Sequence, residues 1–136
     1  DYFSPERRER WVAGWRAAFE READPGTRRG SRLALAESGD GIVVGIAHAG
    51  APSTQGHPGI ENARELELNA LYIAAHLQGT GLAQALAEAV IGSEPAQLWV
   101  SADNARAQAF YRRIGFAPDG ASGRYADLIP EIRMVR

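Results

Sequence analysis

A strand-like run over Leu66–Ala74 passes through a turn, His76–Gly81, into a helical repeat whose apolar side is Leu82, Ala85, Leu86, Ala89 and Val90. This order of strand, glycine turn and helix constrains the chain more than any other feature. It calls for a layered α/β arrangement in which the helix lies back on the sheet. The turn and first helical residues read Gln78, Gly79, Thr80, Gly81, Leu82, Ala83. Glycine permits a tight turn and close approach, Ala83 adds little bulk, and the first helical turn directs unpaired backbone N–H groups and a positive dipole end at whatever binds there. Anionic oxygens fit such a cradle. The lysine of a P-loop and the glycine spacing of a dinucleotide motif are both lacking, and the turn alone is equally compatible with a purely structural role.

A second unit of the same kind follows. Gln97–Ser101 reads as a strand, Asp103 or Asn104 caps a helix that reaches Arg113, and Gly115 ends it. Phe116 begins a short strand or turn, and Ile129–Val135 forms a last strand whose start is irregular or at an edge because of Pro130. Upstream, Arg32–Glu37 and Ile42–Ala49 form a hairpin through Ser38, Gly39, Asp40 and Gly41, and Ala51–Asn62 is a loop. Earlier still, Ser4 caps and Pro5 opens a helix to about Glu22, with Trp11, Val12, Trp15, Ala18 and Phe19 on one face and Asp24–Gly26 as its stop. The arginines of 28–32 read as a solvated loop.

Composition removes several chemistries. With 136 residues, 45% of them apolar, the chain fills one core. Fifteen basic residues against seventeen acidic ones give a net charge of −2, which argues against a polyanion binder and against an anionic membrane surface. There is no cysteine for a disulfide, a thiolate nucleophile or a Cys-rich zinc site, and His48, His57 and His76 lack metal-ligand spacing. All fifteen basic residues are arginine, so no side-chain amine is available for a Schiff base. No apolar run approaches a membrane span, and a cytoplasmic location is the default expectation. A chain opening at Asp1 is expected to be a fragment or a processed product.

Gln78, Gly81 and Ala83 match the acetyl-CoA signature of the GCN5-related N-acetyltransferase (GNAT) family, and the chain resembles that family beyond this turn. Glu67, Leu68, Asn69, Ala70, Leu71, Tyr72 and Ile73 resemble its central strand. Leu98, Trp99 and Val100, then Asn104, Ala105, Phe110, Tyr111, Gly115 and Phe116, resemble its following strand and helix. The resemblance covers residues 31 to 135 well and 1 to 30 only loosely. It implies a mixed, mostly antiparallel central sheet flanked by helices and splayed between its fourth and fifth strands, within a single domain spanning 1–136 that lacks the usual first strand and first helix. Ala75 stands where a proline is common, and Thr80 where a basic residue is common.

The resemblance also implies a function, direct acetyl transfer from acetyl-CoA to a primary amine of a small molecule or protein, with no metal, nucleic acid or membrane involved and a homodimer as one possible assembly. The alternative is a noncatalytic acyl-CoA-binding or regulatory module. The pyrophosphate would rest on Gln78, Gly79, Thr80, Gly81, Leu82 and Ala83. A backbone N–H around Leu71, Tyr72 and Ile73 would bind the carbonyl oxygen, and Asn104 divides between helix cap and pantetheine contact. Tyr111 resembles the residue that protonates the departing thiolate, and Glu67 the base that deprotonates the amine, with Glu65 as its rival. Ideal alternation puts Glu65, Glu67, Asn69, Leu71 and Ile73 on one strand face, an assignment that a strand bulge would alter. A base matters most for a side-chain amine, of which only about 1 part in 2500 is neutral at pH 7. Arg106, Arg112, Arg113 and His76 are surface residues with a possible phosphate role, and Trp99 is expected in the sheet core.

Overall fold

The computed structural model describes residues 31–52 and 57–136, so the expected helix over Ser4–Glu22 and its stop lie outside the described residues. The first hairpin joins β1 (Arg32–Glu37) to β2 (Val43–Gly50). Its turn is closed by Ser38 N–H donating to the Ile42 carbonyl (2.8 Å) and Gly41 N–H donating to the Ser38 carbonyl (2.9 Å). Gly41 sits at φ +78°, a backbone state that glycine enters without steric cost. β3 (Glu67–Ile73) pairs antiparallel with β2, and the described strands form one sheet in the order β1-β2-β3-β4-β6-β5, with β4 over Gln97–Ser101, β5 over Ala117–Tyr125 and β6 over Ile129–Val135.

Two helices complete the described fold, α1 (Leu82–Ile91) and α2 (Ala105–Arg113). Leu82, Leu86, Val90 and Ile91 of α1 are buried in one core with Ala34, Ala36, Ala47, Ala49, Leu68, Leu98, Val100, Phe116 and Met134. Alanines and Gly45 on the facing strands let the helix approach closely. A Cβ at Gly45 would lie 2.7 Å from Leu86 Cδ1. α2 ends in a Schellman motif: Phe116 N–H donates to the Tyr111 carbonyl (2.9 Å), Gly115 N–H to the Arg112 carbonyl (3.1 Å), and Gly115 holds φ +102°. Arg136 closes both helix ends. Its guanidinium donates to the carbonyls of Gly92 and Glu94 after α1 and of Ile114 after α2, a favourable placement of positive charge at two dipole termini.

Two sequence expectations change. The short strand or turn at Phe116 is a nine-residue strand, β5, whose Gly- and Pro-containing sequence has little strand propensity and is ordered by pairing with β6. The single-face assignment along β3 also fails. The β2–β3 register steps from His48↔Ala70 to Ala49↔Leu68, so β3 carries one extra residue at Asn69. Beyond this bulge the faces exchange. Leu71 and Ile73 pair with Ala47 and Gly45 on the α1 side, whereas Glu67, Ala70 and Tyr72 share the opposite face.

Gly45 supports a direct test of the close helix–sheet contact. Because the added Cβ would stand 2.7 Å from Cδ1 of the fully buried Leu86, Gly45→Ala is expected to destabilise the fold by about 1–3 kcal/mol, measured as a lowered urea midpoint at unchanged m.

Candidate active site

The cleft begins where β3 and β4 part. They are the parallel pair among the described strands, and their register consists of Glu67↔Gln97, with Gln97 N–H donating to the Leu66 carbonyl at 2.9 Å. Past that pair the strands have no partners in register with each other. Ala74 N–H donates to Val44 O of β2 (2.8 Å), and the Tyr72 carbonyl also lies on the β2 side, 3.4 Å from where a Gly45 Cβ would stand. Strand alternation therefore turns the N–H and C=O groups of Leu71 and Ile73 toward the cleft, whereas the backbone of Tyr72 is committed to β2.

The glycine turn stands at the top of this cleft. Ala75–Leu77 form a short 3-10 turn, Gly79 and Gly81 take φ +78° and +88°, and α1 starts at Leu82 with Gly81 as its N-cap. Thr80 ties the turn internally, its hydroxyl donating to the Leu77 carbonyl (2.5 Å) and accepting from Leu82 N–H (3.4 Å). The backbone N–H groups of Gly79, Gly81, Ala83 and Gln84 have no acceptor among the described residues. A Cβ at Gly79 or Gly81 would meet nothing within 4 Å, so space is open above the turn. Four unpaired donors, an open space and a helix N-terminus fit the pyrophosphate of a CoA ester. Gln78 and His76 are exposed beside it.

Tyr111 reaches the core side of the cleft from α2. It packs edge-on against Phe116 (ring centroids 6.1 Å apart) and against the core. Burial, and secondarily the phenol of Tyr72, push its pKa up to about 12. Asn104 caps α2 through Oδ1, which accepts from Ala107 N–H at 3.0 Å. Arg106, Arg112 and Arg113 are exposed on the same helix.

Glu67 is only 4% exposed, at the vertex of the cleft. Its Oε1 accepts from Gln97 Nε2 (2.9 Å) and its Oε2 from Asn69 Nδ2 (2.8 Å). Glu65 is exposed before β3 begins and borders a surface depression with Pro52, Asn62, Ala63 and Arg64. Glu65 is thus exposed and Glu67 buried. Glu67 and Tyr72 are five residues apart on β3, roughly 16 Å at strand spacing, so Glu67 lies at the closed end of the cleft and the tyrosine pair toward its open end.

Sequence reasoning misses a second cluster, on the sheet face opposite α1. Trp99 is not in the core there. Its ring stacks on His57 (3.5 Å between centroids, 9° between planes), and the Arg133 guanidinium lies over it at 5.6 Å. Arg133 also binds Asp119 Oδ2 (2.7 Å) and the Glu61 carbonyl (2.6 Å). His57 Nε2 stands 2.9 Å from Glu131 Oε1, at ion-pair distance but without hydrogen-bond alignment. Alternation in Gln97–Ser101 carries the one available signal, since Trp99 shares its face with polar Gln97 and Ser101 rather than with Leu98 and Val100.

The raised Tyr111 pKa has a consequence for stability. The unfolded phenol ionises near 10 and the folded one near 12, so this contribution to stability is complete below pH 10 and is lost as pH rises through 12. Wild type is expected to lose about 2 kcal/mol more than Tyr111→Phe between pH 9.5 and 12, read from urea unfolding. Parallel losses would contradict the burial of the phenol.

No group of three or more His, Cys, Asp or Glu side chains suited to a metal occurs among the described residues, and no described helix is long and apolar enough to cross a membrane. Comparison with curated protein sequences finds no match. Solved structures do share the fold. Nourseothricin acetyltransferase superposes with a TM-score of 0.61 at 22% identity, over 84% of this chain and 68% of its own. A protein from Corynebacterium glutamicum ATCC 13032, described as histone acetyltransferase HPA2 and related acetyltransferase, gives 0.57 at 19% identity over 98% and 92%. The PaiA N-acetyltransferase of Thermoplasma acidophilum, solved in complex with coenzyme A, gives 0.55 at 15% identity over 79% and 60%. The family model described as acetyltransferase (GNAT) domain matches residues 29–118, which include the hairpin, the glycine turn and Tyr111. The chain belongs to the GNAT acetyltransferase family.

Proposed function

We propose that this chain is an acetyl-CoA-dependent N-acetyltransferase that passes an acetyl group directly to a primary amine of a small molecule or protein. The observation that carries the reading is the set of unpaired N–H groups on Gly79, Gly81, Ala83 and Gln84 at the head of the gap where β3 leaves β4. Gln78 to Ala83 would hold the pyrophosphate. The pantetheine arm would extend along the β3 edge, within reach of Asn104 once that side chain has satisfied its cap. Acetyl-CoA supplies an activated thioester.

Transfer forms a C–N bond and breaks a C–S bond, so the amine nitrogen must lose a proton and the departing sulfur must gain one. Glu67, at the closed end of the cleft, accepts the amine's proton through intervening water, which matters most for acceptors of high pKa. Leu71 and Ile73 present the N–H donors nearest to where charge develops on the carbonyl oxygen. Tyr111 donates at sulfur. With its pKa near 12 against about 8.5 for a thiol, leaving a phenolate behind is uphill by about 5 kcal/mol. Tyr111 therefore works as a hydrogen-bond donor whose proton is replaced from solvent water as it is given, and it imposes no ionisation of its own on the rate below pH 10.

Wild-type protein should release CoA only when an accepted amine is present. Tyr111→Phe is expected to lower kcat by about 10²-fold while KM for acetyl-CoA changes less than about threefold, measured by thiol release under saturating amine. Equal turnover in the two proteins would remove Tyr111 from the chemistry. Tight CoA binding without transfer to any amine would favour the noncatalytic module.

A further inference from the structure

Gln97 is a fully buried amide in a strand whose neighbouring residues Leu98 and Val100 face the apolar core. Burying an amide is unfavourable unless its donors and acceptors are matched, and here the matching fixes its orientation. Gln97 Oε1 accepts two backbone N–H groups, from Ala63 (2.8 Å) and Arg64 (3.0 Å). Two donors converging on one end leave only the amide oxygen for that end, so the NH2 group must face Glu67, whose Oε1 it meets at 2.9 Å. The other carboxylate oxygen is met by Asn69 Nδ2 at 2.8 Å, and the same amide reaches the Ala51 carbonyl at 3.4 Å. One arm comes from β4 and the other from the β3 bulge, so the carboxylate is gripped from both strands at the point where they separate.

We propose that Gln97 is a positioning residue for the Glu67 carboxylate, with Asn69 as the second arm of the same clamp. This rests on the reading of Glu67 as the base. At the bulge, the Asn69 amide reaches back two residues to Glu67. Gln97 likewise couples the carboxylate to the 63–64 backbone, so the segment leading into β3 and the proton acceptor are held by one side chain.

Gln97→Glu is the informative variant because it is nearly isosteric and retains acceptors for the Ala63 and Arg64 N–H groups. It replaces the donor facing Glu67 by a second carboxylate, and two carboxylates at that separation share a proton. Asn69→Asp does the same at the exposed arm, away from the core. Two readouts apply to the intact chain. The first is the carboxyl carbon NMR titration of Glu67 without ligands. The second is the pH dependence of kcat/KM for spermidine, or for the first primary amine in a panel that wild type accepts. Each variant is expected to move the Glu67 titration, and the acid limb of the rate profile, upward by at least one pH unit while KM for acetyl-CoA stays within about twofold. A Glu67 titration within 0.3 unit of wild type in both variants, or an unmoved acid limb in both, overturns the clamp. Should Gln97→Glu fail to fold, by circular dichroism and thermal melting, Asn69→Asp decides alone. Glu67→Gln separates the two levels of the argument. If it leaves the rate profile of wild type intact, the assignment of the base fails. If it abolishes the acid limb while the clamp variants do not shift it, only the positioning role fails.

Discussion

At the centre of the sheet β3 and β4 run parallel and are joined in register by Glu67↔Gln97. Every other described neighbour pair is a ladder of several residues. A sheet normally satisfies its backbone groups strand by strand, so an opening in the middle leaves donors and acceptors exposed along both edges. Two features make the opening sustainable. One is the buried side-chain pair at the vertex, which adds a charge-assisted hydrogen bond where the backbone pairing ends. The other is the single buried core on the α1 side, which takes Ala47 and Leu68 from one half of the sheet and Leu98, Val100 and Met134 from the other. The cleft is thus a gap in hydrogen bonding laid over continuous apolar packing.

The residues that border this gap are placed by ordinary local rules. Gly79 and Gly81 supply positive φ so that the chain can leave β3, turn and enter α1 with its first N–H groups pointing outward. Thr80 stands where a basic residue is common in the family, and its hydroxyl is spent inside the turn, leaving anion attraction to backbone N–H groups and the helix dipole. Asn104 opens α2 and the Gly115 Schellman motif closes it, which fixes Tyr111 one turn from the helix end with Phe116 folded against its ring. Arg136 then ties the ends of both helices to the last strand.

Much of this was legible in the sequence wherever a local rule and the tertiary structure agree. The strand limits Arg32–Glu37, Gln97–Ser101 and Ile129–Val135 coincide with β1, β4 and β6, each run placing apolar side chains between polar ones. Pro130 falls past the β4 partners of β6, where its missing N–H is harmless and its carbonyl accepts from Ala102 N–H. β5 was not legible, since Ala117–Tyr125 becomes a strand through β6 and not through its own propensity. The faces of β3 were misread because one bulged residue reverses the alternation, and a bulge leaves no mark in Glu67–Ile73 taken alone. The Gln97 clamp and the His57–Trp99–Arg133 cluster join residues 30 to 76 positions apart, which only the folded topology brings together.

On the proposed function, the β3–β4 gap and the glycine turn together form the seat of a CoA ester. It is tested most directly by backbone amide NMR of the uniformly 15N-labelled chain during titration with CoA. Saturable shifts are expected at Gly79, Gly81, Ala83 and Gln84, accompanied by Leu71 and Ile73, with Tyr72 less affected because its N–H belongs to β2. Saturable binding that leaves those amides unmoved, or the absence of any binding at millimolar CoA, would contradict it.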